Sequence, residues 1–177
     1  MVIRAENQGV LLGFGVSHTH FIFGGYREEE VSWRLRGDSY MSIMERGGGI
    51  VNTMIATRES DFDTLWDRGE ERLDELFSMG VTTVEGKSGY GLDLQTELVQ
   101  LRVMSDLNES HPMDVVSTFL GAHAVPPEFA GRTDDYVDYM IEEVLPVIRA
   151  EHTVTFCDVF CVNGVFSLEQ RERLLRA

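Results

Sequence analysis

The feature that most constrains the fold is an alternation of short apolar runs with longer amphipathic segments. Four runs have the length and composition of β-strands: VLLGFGV (10–16), VTTVE (81–85), MDVVSTFL (113–120) and VTFCDVFCV (154–162). Apolar residues at spacings of three and four predict helices over 63–80, 94–110, 133–150 and 167–177. Strands that alternate with helices are typical of parallel sheets. The sequence therefore predicts an α/β fold with a parallel sheet.

Glycine, proline and serine mark the expected ends of these helices. Gly80 should end the helix over 63–80, and Pro146 should kink or end the helix over 133–150. Ser167 is well placed to cap the N-terminus of the last helix. No repeat or low-complexity linker divides the 177 residues, so we expect a single domain over 1–177.

Composition excludes several classes of partner. The net charge is −15, which disfavours binding to nucleic acids and to anionic membranes. No apolar run approaches the roughly 18 residues that span a bilayer, and the first residues lack the pattern of a secretory signal. Cys157 and Cys161 lie four residues apart in a predicted strand, where we expect two buried, free thiols. These features predict a cytoplasmic protein.

Each predicted strand is followed by residues of unusual chemistry. The motifs are HTH, KSGYG, GAHAVPPE and VNGVF, in chain order. Functional groups gather in this way at the carboxyl ends of parallel strands, both in (β/α) barrels and in open α/β sheets. A closed barrel has eight such units in about 250 residues, whereas this chain has four.

His18 and His20 are candidate metal ligands. Residues i and i+2 of a strand point to the same face, so two imidazoles at the end of a strand can bind one cation, such as zinc or iron. The alternative is that two polar residues simply close a strand. A catalytic zinc site normally has three protein ligands, so this pair alone would be incomplete.

Three further residues are candidates for substrate contacts. Arg27 could bind a carboxylate through its guanidinium, or it could be a surface arginine among glutamates. Tyr90, between two glycines, could contact a ligand or belong to an ordinary turn. His123 follows a strand among small residues and is a candidate acid–base group. His111 and His152 lie at helix ends, where we expect surface positions.

The segments HTHFIFGGYREEE, RLRGDSYMSIMERGGGI, GVTTVEGKSGYGLD, TFLGAHAVPPEF and FCDVFCVNGVFS together resemble the imidazolonepropionase family of the metal-dependent amidohydrolase superfamily. KSGYGLD and FLGAHAVPPE are the more specific motifs, because the whole superfamily shares HxH. The resemblance extends from about Gly13 to the end of the chain. It implies a (β/α) barrel that hydrolyses the ring amide of 4-imidazolone-5-propanoate to N-formimidoyl-L-glutamate in histidine degradation.

The resemblance also implies roles for individual residues. His18 and His20 match the two metal ligands of the first strand, for one divalent zinc or iron ion. Arg27, Tyr90 and His123 match substrate-binding residues, with Arg27 on the propanoate carboxylate. His123 is in addition the implied catalytic residue. The metal would activate a water molecule and polarise the carbonyl group.

The family pattern extends beyond this chain. Its third histidine ligand follows strand five, its aspartate ligand follows strand eight, and a small β-domain completes the fold. We therefore expect about the first four β/α units of a barrel, inactive alone, and prone to self-associate or to bind a complementing chain. The alternatives are a catalytically silent fragment that binds only a metal or a partner chain, and an enzyme acting on another cyclic amide.

Overall fold

The computed structural model describes residues 4–39, 42, 48–162 and 164–177. Four parallel strands form one sheet in the order β1-β2-β3-β4, so each strand pairs with the next along the chain. The strands are β1 (Phe14–Thr19), β2 (Val81–Lys87), β3 (Asp114–Ala122) and β4 (Phe156–Val159). The prediction of an α/β fold with a parallel sheet is confirmed. Sequential strand order is the order found in a (β/α) barrel.

Helices connect these strands. They are α1 (Glu28–Leu35), α2 (Ile50–Arg58), α3 (Phe62–Ser78), α4 (Leu94–Ser110), α5 (Thr133–Tyr139), α6 (Leu145–Glu151) and α7 (Leu168–Arg176). Asp61 and Asp93 accept hydrogen bonds from backbone N–H groups in the first turns of α3 and α4. Ser167 caps α7, as the sequence predicted, and Gln170 completes a capping box with it. None of the helices described here is long and apolar enough to cross a membrane.

The predicted interruption at Pro146 is a π-helical segment, Met140–Val144, that joins α5 to α6. The N–H of Leu145 donates to the carbonyl of Met140, five residues earlier. Pro146 then occupies the first turn of α6, where its missing N–H needs no partner within the helix. The chain thus passes the proline without ending the helical path.

The first strand lies four residues later than predicted. Val10, Leu11 and Leu12 are 79%, 81% and 93% exposed and belong to no strand. Pairing begins where Phe14 lies opposite Val81, the first residue of β2. Apolar residues form a strand only where a partner backbone is available, and β2 offers none earlier than Val81. The shift places His18 inside the strand and His20 just beyond it.

The expected burial of the two cysteines was wrong. The fourth strand ends at Val159, so Cys161 lies beyond it, and Cys157 is exposed. A predicted strand over 154–162 had placed both thiols on one buried face. Both cysteines are free, as expected.

The core lies between the sheet and its helices. Apolar side chains of β2 and β3, including Val84 and Phe119, point toward the helices and share one core with Leu101 and Met104 of α4. The opposite face of β2, β3 and β4 carries polar groups (Glu85, Lys87, Thr118, Asp158). This difference between the two faces follows the period-two alternation of strands.

Two glycines leave space for the residues that follow β1. An added Cβ on Gly86 of β2 would lie 2.5 Å from Cε1 of Phe21. An added Cβ on Gly69 of α3 would lie 2.5 Å from Cδ1 of Ile22. Phe21 and Ile22 are both buried, so they occupy space that any larger residue at 69 or 86 would fill.

Candidate active site

The carboxyl edge of the sheet brings together rings from three successive β/α units. The centroid of the His20 ring lies 4.6 Å from that of His123, with the two planes 8° apart. The Tyr90 ring lies 4.9 Å from His20 and 5.3 Å from His123. His18 lies 5.7 Å from His20. The structure therefore assembles four of the five predicted site residues into one cluster.

His20 has the features of a nitrogen ligand. Burial, followed by the nearby His123 and His18, lowers the pKa of His20 to about 3. The ring is therefore neutral at physiological pH, the state in which imidazole binds metals. Its Nδ1 is buried and has no hydrogen-bond partner. A buried nitrogen without a partner is costly unless a further group binds it.

The cluster offers a metal two nitrogen ligands, those of His18 and His20. Among the residues that the structure describes, no group of three or more histidine, cysteine, aspartate or glutamate side chains could hold a metal ion. The donor types and the unpartnered Nδ1 of His20 thus fit part of a metal site.

His123 is held in a defined orientation. Its Nδ1 lies 2.9 Å from the carbonyl oxygen of Gly89. A carbonyl oxygen can only accept, so Nδ1 carries the proton and Nε2 keeps its lone pair. Burial lowers the pKa of His123, while the hydrogen bond to Gly89 opposes that shift. The edge of Phe160 packs against the ring. His123 is therefore a neutral imidazole with an available acceptor.

The loop that carries Tyr90 requires glycine at position 89. Gly89 has φ +104°, and a Cβ there would lie 2.5 Å from the carbonyl oxygen of Leu120. The close approach at Gly89 is to β3 and to His123, and the predicted contact of KSGYG with a ligand stays a prediction. The loop brings Tyr90 beside His20.

Arg27 lies next to the ring cluster. It lines an open cleft of about 400 Å³ together with Tyr90, Phe23 and Thr53. Its Nη1 is 3.4 Å from Oε2 of Glu30, a buried carboxylate whose other oxygen accepts the N–H of Gly49. Arg27 and Tyr90 therefore share one cleft. The Asn163 part of VNGVF lies outside the described residues.

Sequence reasoning missed a polar cluster on the same face of the sheet as His18. Lys87 is buried, and its Nζ lies 2.6 Å from Glu85 Oε1 and 3.0 Å from Asp158 Oδ2. Thr118 donates to the same Glu85 oxygen at 2.7 Å. Burial acts to lower the pKa of Lys87, but the hydrogen bonds to the two carboxylates raise it. The alternation of Glu85 and Lys87 in VEGK was a signal for this cluster, because i and i+2 share a face.

A second missed residue is Glu97, whose side chain is fully buried under the Tyr90 loop. Its spacing of three and four residues from Leu94 and Leu101 places it on the apolar face of the helix, which was a signal for its burial. His111 was also misjudged: its side chain is 4% exposed and contacts Asp74 at 3.2 Å, whereas the expected surface position holds for His152.

Comparison with known proteins finds close relatives over the whole chain. A protein named imidazolonepropionase from Parabacteroides distasonis is 94% identical over 175 residues, which are 99% of this chain and 42% of that protein. Proteins of the same name from Bacteroides thetaiotaomicron and Clostridium tetani are 59% and 55% identical, each over 98% of this chain and 42% of the relative. No family model matches the chain.

The chain spans about 42% of the length of these curated relatives. The similarity includes the whole of the sheet and the ring cluster, because it leaves at most a few residues of the chain unmatched. By sequence, nearly the whole chain is similar to part of these proteins named imidazolonepropionase.

Proposed function

We propose that the chain supplies part of the active site of a metal-dependent hydrolase. The enzyme would open the ring amide of 4-imidazolone-5-propanoate to give N-formimidoyl-L-glutamate, a step of histidine degradation. The observation that carries the proposal is the packing of His18, His20, Tyr90 and His123 at one edge of the sheet. In this proposal, residues 1–177 form about four units of an amidohydrolase-type barrel in the cytoplasm.

His18 and His20 would hold one divalent metal ion, zinc or iron, with further ligands from outside the described residues. When bound, the metal would supply an activated water molecule and polarise the ring carbonyl. The neutral state of His20 supports this role, since protons do not compete for the ring at physiological pH.

His123 and Tyr90 would orient the imidazolone ring. His123 presents Nε2 as an acceptor, so it can hold an N–H of the ring or take a proton from the reacting water. Tyr90 lies beside both histidines and faces the cleft that Arg27 also lines. Arg27 would pair with the propanoate carboxylate, because a guanidinium binds a carboxylate through two parallel hydrogen bonds.

Metal content and turnover of the purified chain test this proposal. We expect bound metal in the unmodified chain and its loss in the His18→Ala, His20→Ala double variant. His152→Asn is the matched control, because His152 is exposed and asparagine tolerates its left-handed backbone, with φ 54°. Metal retained by the double variant would contradict the assigned ligands.

Turnover of 4-imidazolone-5-propanoate then separates the enzyme from a silent chain. Turnover that the double variant lacks would mean a working site completed by a further chain. Bound metal without turnover would favour a chain that only binds metal or a partner. Turnover of a different cyclic amide, with none of the imidazolone, would replace the substrate proposed here.

Self-association is the second candidate property, and exposed aromatic residues favour it. Phe14 on β1 and Phe156 on β4 are 56% and 58% exposed, and both strands are at edges of the sheet. Open edges and apolar side chains promote pairing with further chains. We expect oligomers on a sizing column at micromolar concentration. A single monomer peak would contradict this proposal.

A further inference from the structure

The Tyr90 loop is built around a carboxylate that the proposed chemistry does not use. Glu97, in the first turn of α4, accepts the N–H groups of Gly91 and Leu92 at 2.9 and 2.8 Å through Oε1. Its Oε2 accepts the N–H of Gly89 at 3.1 Å. Three backbone donors thus face one fully buried side chain.

Such a set of partners fits an ionised carboxylate, which only accepts hydrogen bonds. Burial raises the pKa of Glu97, and the polar groups of Ser88, Leu92, Gly91 and Gly89 oppose that rise. The contacts from Gly89, Gly91 and Leu92 are each an N–H donor facing an oxygen of Glu97.

The loop held by Glu97 has an unfavourable backbone conformation. Leu92 has φ +57°, in the left-handed region that non-glycine residues rarely adopt. Its N–H is one of the three that Glu97 accepts. Ser88 adds a second anchor, because its hydroxyl accepts the N–H of Leu120 on β3 at 3.0 Å. Glu97 therefore stabilises a conformation that the chain would not keep alone.

This loop leads directly to the ring cluster. Glu97 holds the peptide groups on both sides of the Gly89–Tyr90 peptide. The carbonyl of Gly89, within that peptide, accepts the Nδ1 proton of His123. The position of Gly89 thus decides which nitrogen of His123 carries a proton and which faces the cleft.

We propose that Glu97 is a positioning residue of the active site, acting through the Gly89–Tyr90 peptide to fix the tautomer of His123 and the place of Tyr90. The inference rests on the proposed function, because that function assigns substrate contacts to His123 and Tyr90. Glu97 does not itself contact the cleft.

The test is nitrogen-15 NMR of the metal-free chain, with the His123 signals assigned by their loss in His123→Asn. In the unmodified chain, we expect one tautomer with a proton on Nδ1. Glu97→Gln replaces one acceptor by an NH₂ donor that faces backbone donors, so we expect a mixture of tautomers. We also expect at least tenfold faster hydrogen exchange at the amides of Gly91 and Leu92.

Leu101→Ala is the control for a merely structural role. Leu101 is buried on the same helix and its side chain has no polar atom that could bond to the loop, so its truncation weakens the core without removing a hydrogen bond to Gly89. We expect this variant to keep the single tautomer. A single tautomer in Glu97→Gln, or mixed tautomers in Leu101→Ala, would overturn the inference.

A second variant decides the matter if Glu97→Gln does not fold. Ser88→Ala removes the hydroxyl that accepts the N–H of Leu120 and that opposes the rise in the pKa of Glu97, and it leaves the carboxylate in place. We expect a smaller admixture of the second tautomer, and an unchanged tautomer would count against the inference. None of these measurements needs a metal, so absence of metal binding would overturn the proposed function and leave this result standing.

Discussion

Helix α4 anchors two segments of the site through opposite kinds of hydrogen bond. After β1, residues 21–27 (the first segment) offer backbone carbonyls to side-chain donors: Gln100 donates to Ile22, and Arg72 donates to Phe21 and Phe23. After β2, residues 88–93 (the second segment) offer backbone N–H groups to the carboxylate of Glu97.

The two arrangements also differ in how completely they are satisfied. Both oxygens of Glu97 have partners, whereas Oε1 of Gln100 and Nη2 of Arg72 are buried without any. Glu97 and Gln100 lie one turn apart on α4, so one helix supplies both kinds of anchor. The difference indicates that the second segment is held more tightly than the first. In the first segment, the cost of an unsatisfied buried atom offsets part of the free energy gained from each hydrogen bond.

The largest expected effect comes from removing the anchor of the second segment. Glu97→Leu leaves three buried backbone N–H groups without an acceptor, and we expect it to lower the free energy of unfolding by about 3–5 kcal/mol. Urea unfolding followed by circular dichroism measures the change. A loss below about 1 kcal/mol would mean that water replaces the carboxylate and that the second segment is not the tighter one.

Acid should loosen the first segment before the second. The pKa of His20, the residue directly before that segment, is about 3 when folded and near its ordinary value of 6.5 when unfolded. Between these values the unfolded chain binds the extra proton, so stability falls as pH falls from about 6.5 toward 3. We expect a loss of about 3 kcal/mol between pH 7 and pH 4 in the metal-free chain.

Hydrogen exchange at a series of pH values measures this prediction locally, after correction for the intrinsic pH dependence of exchange. Amides of residues 21–25 should lose protection at higher pH than those of residues 89–92. His152→Asn should leave the order unchanged, because His152 is exposed and distant in the chain from both segments. Earlier loss of protection in the second segment would reverse the comparison.

The smallest expected effect comes from Gln100→Leu. The substitution removes one hydrogen bond to the carbonyl of Ile22 and also removes the unpartnered Oε1. These changes oppose each other, so we expect a loss of only about 0.5–1 kcal/mol in the same urea experiment. A loss as large as that of Glu97→Leu would show that the two anchors are equivalent.

The sequence predicted the elements that periodicity specifies. The helix over 94–110 was predicted with the bounds it has, because its apolar face and its flanking residues agree. The strand over 10–16 was misplaced, since apolar composition does not reveal where a neighbouring strand begins. Parallel strand order followed from the alternation of elements, and the structure has it.

The sequence predicted the residues of the candidate site but not the residues that hold them in place. Motifs at strand ends indicated His18, His20, Tyr90 and His123, and their rings do lie together. Their roles remain proposals. Glu97 was not singled out although it shares a helical face with Leu94 and Leu101, because a glutamate near a helix start is ordinarily a solvated residue that favours the helix dipole. Only the fold places three N–H groups over it.

The position of His20 depends on the absence of a side chain at Gly69 and at Gly86. Glycine in the middle of a helix or a strand is about 0.5–1 kcal/mol less favourable than alanine, yet both positions hold it. The space beside Gly86 is filled by Phe21 and the space beside Gly69 by Ile22, the two residues that directly follow His20. The geometry of the first strand's imidazoles therefore depends partly on glycines in β2 and α3. Both glycines act on the site only through the side chain that they lack, so a search for side chains that contact the site would overlook them.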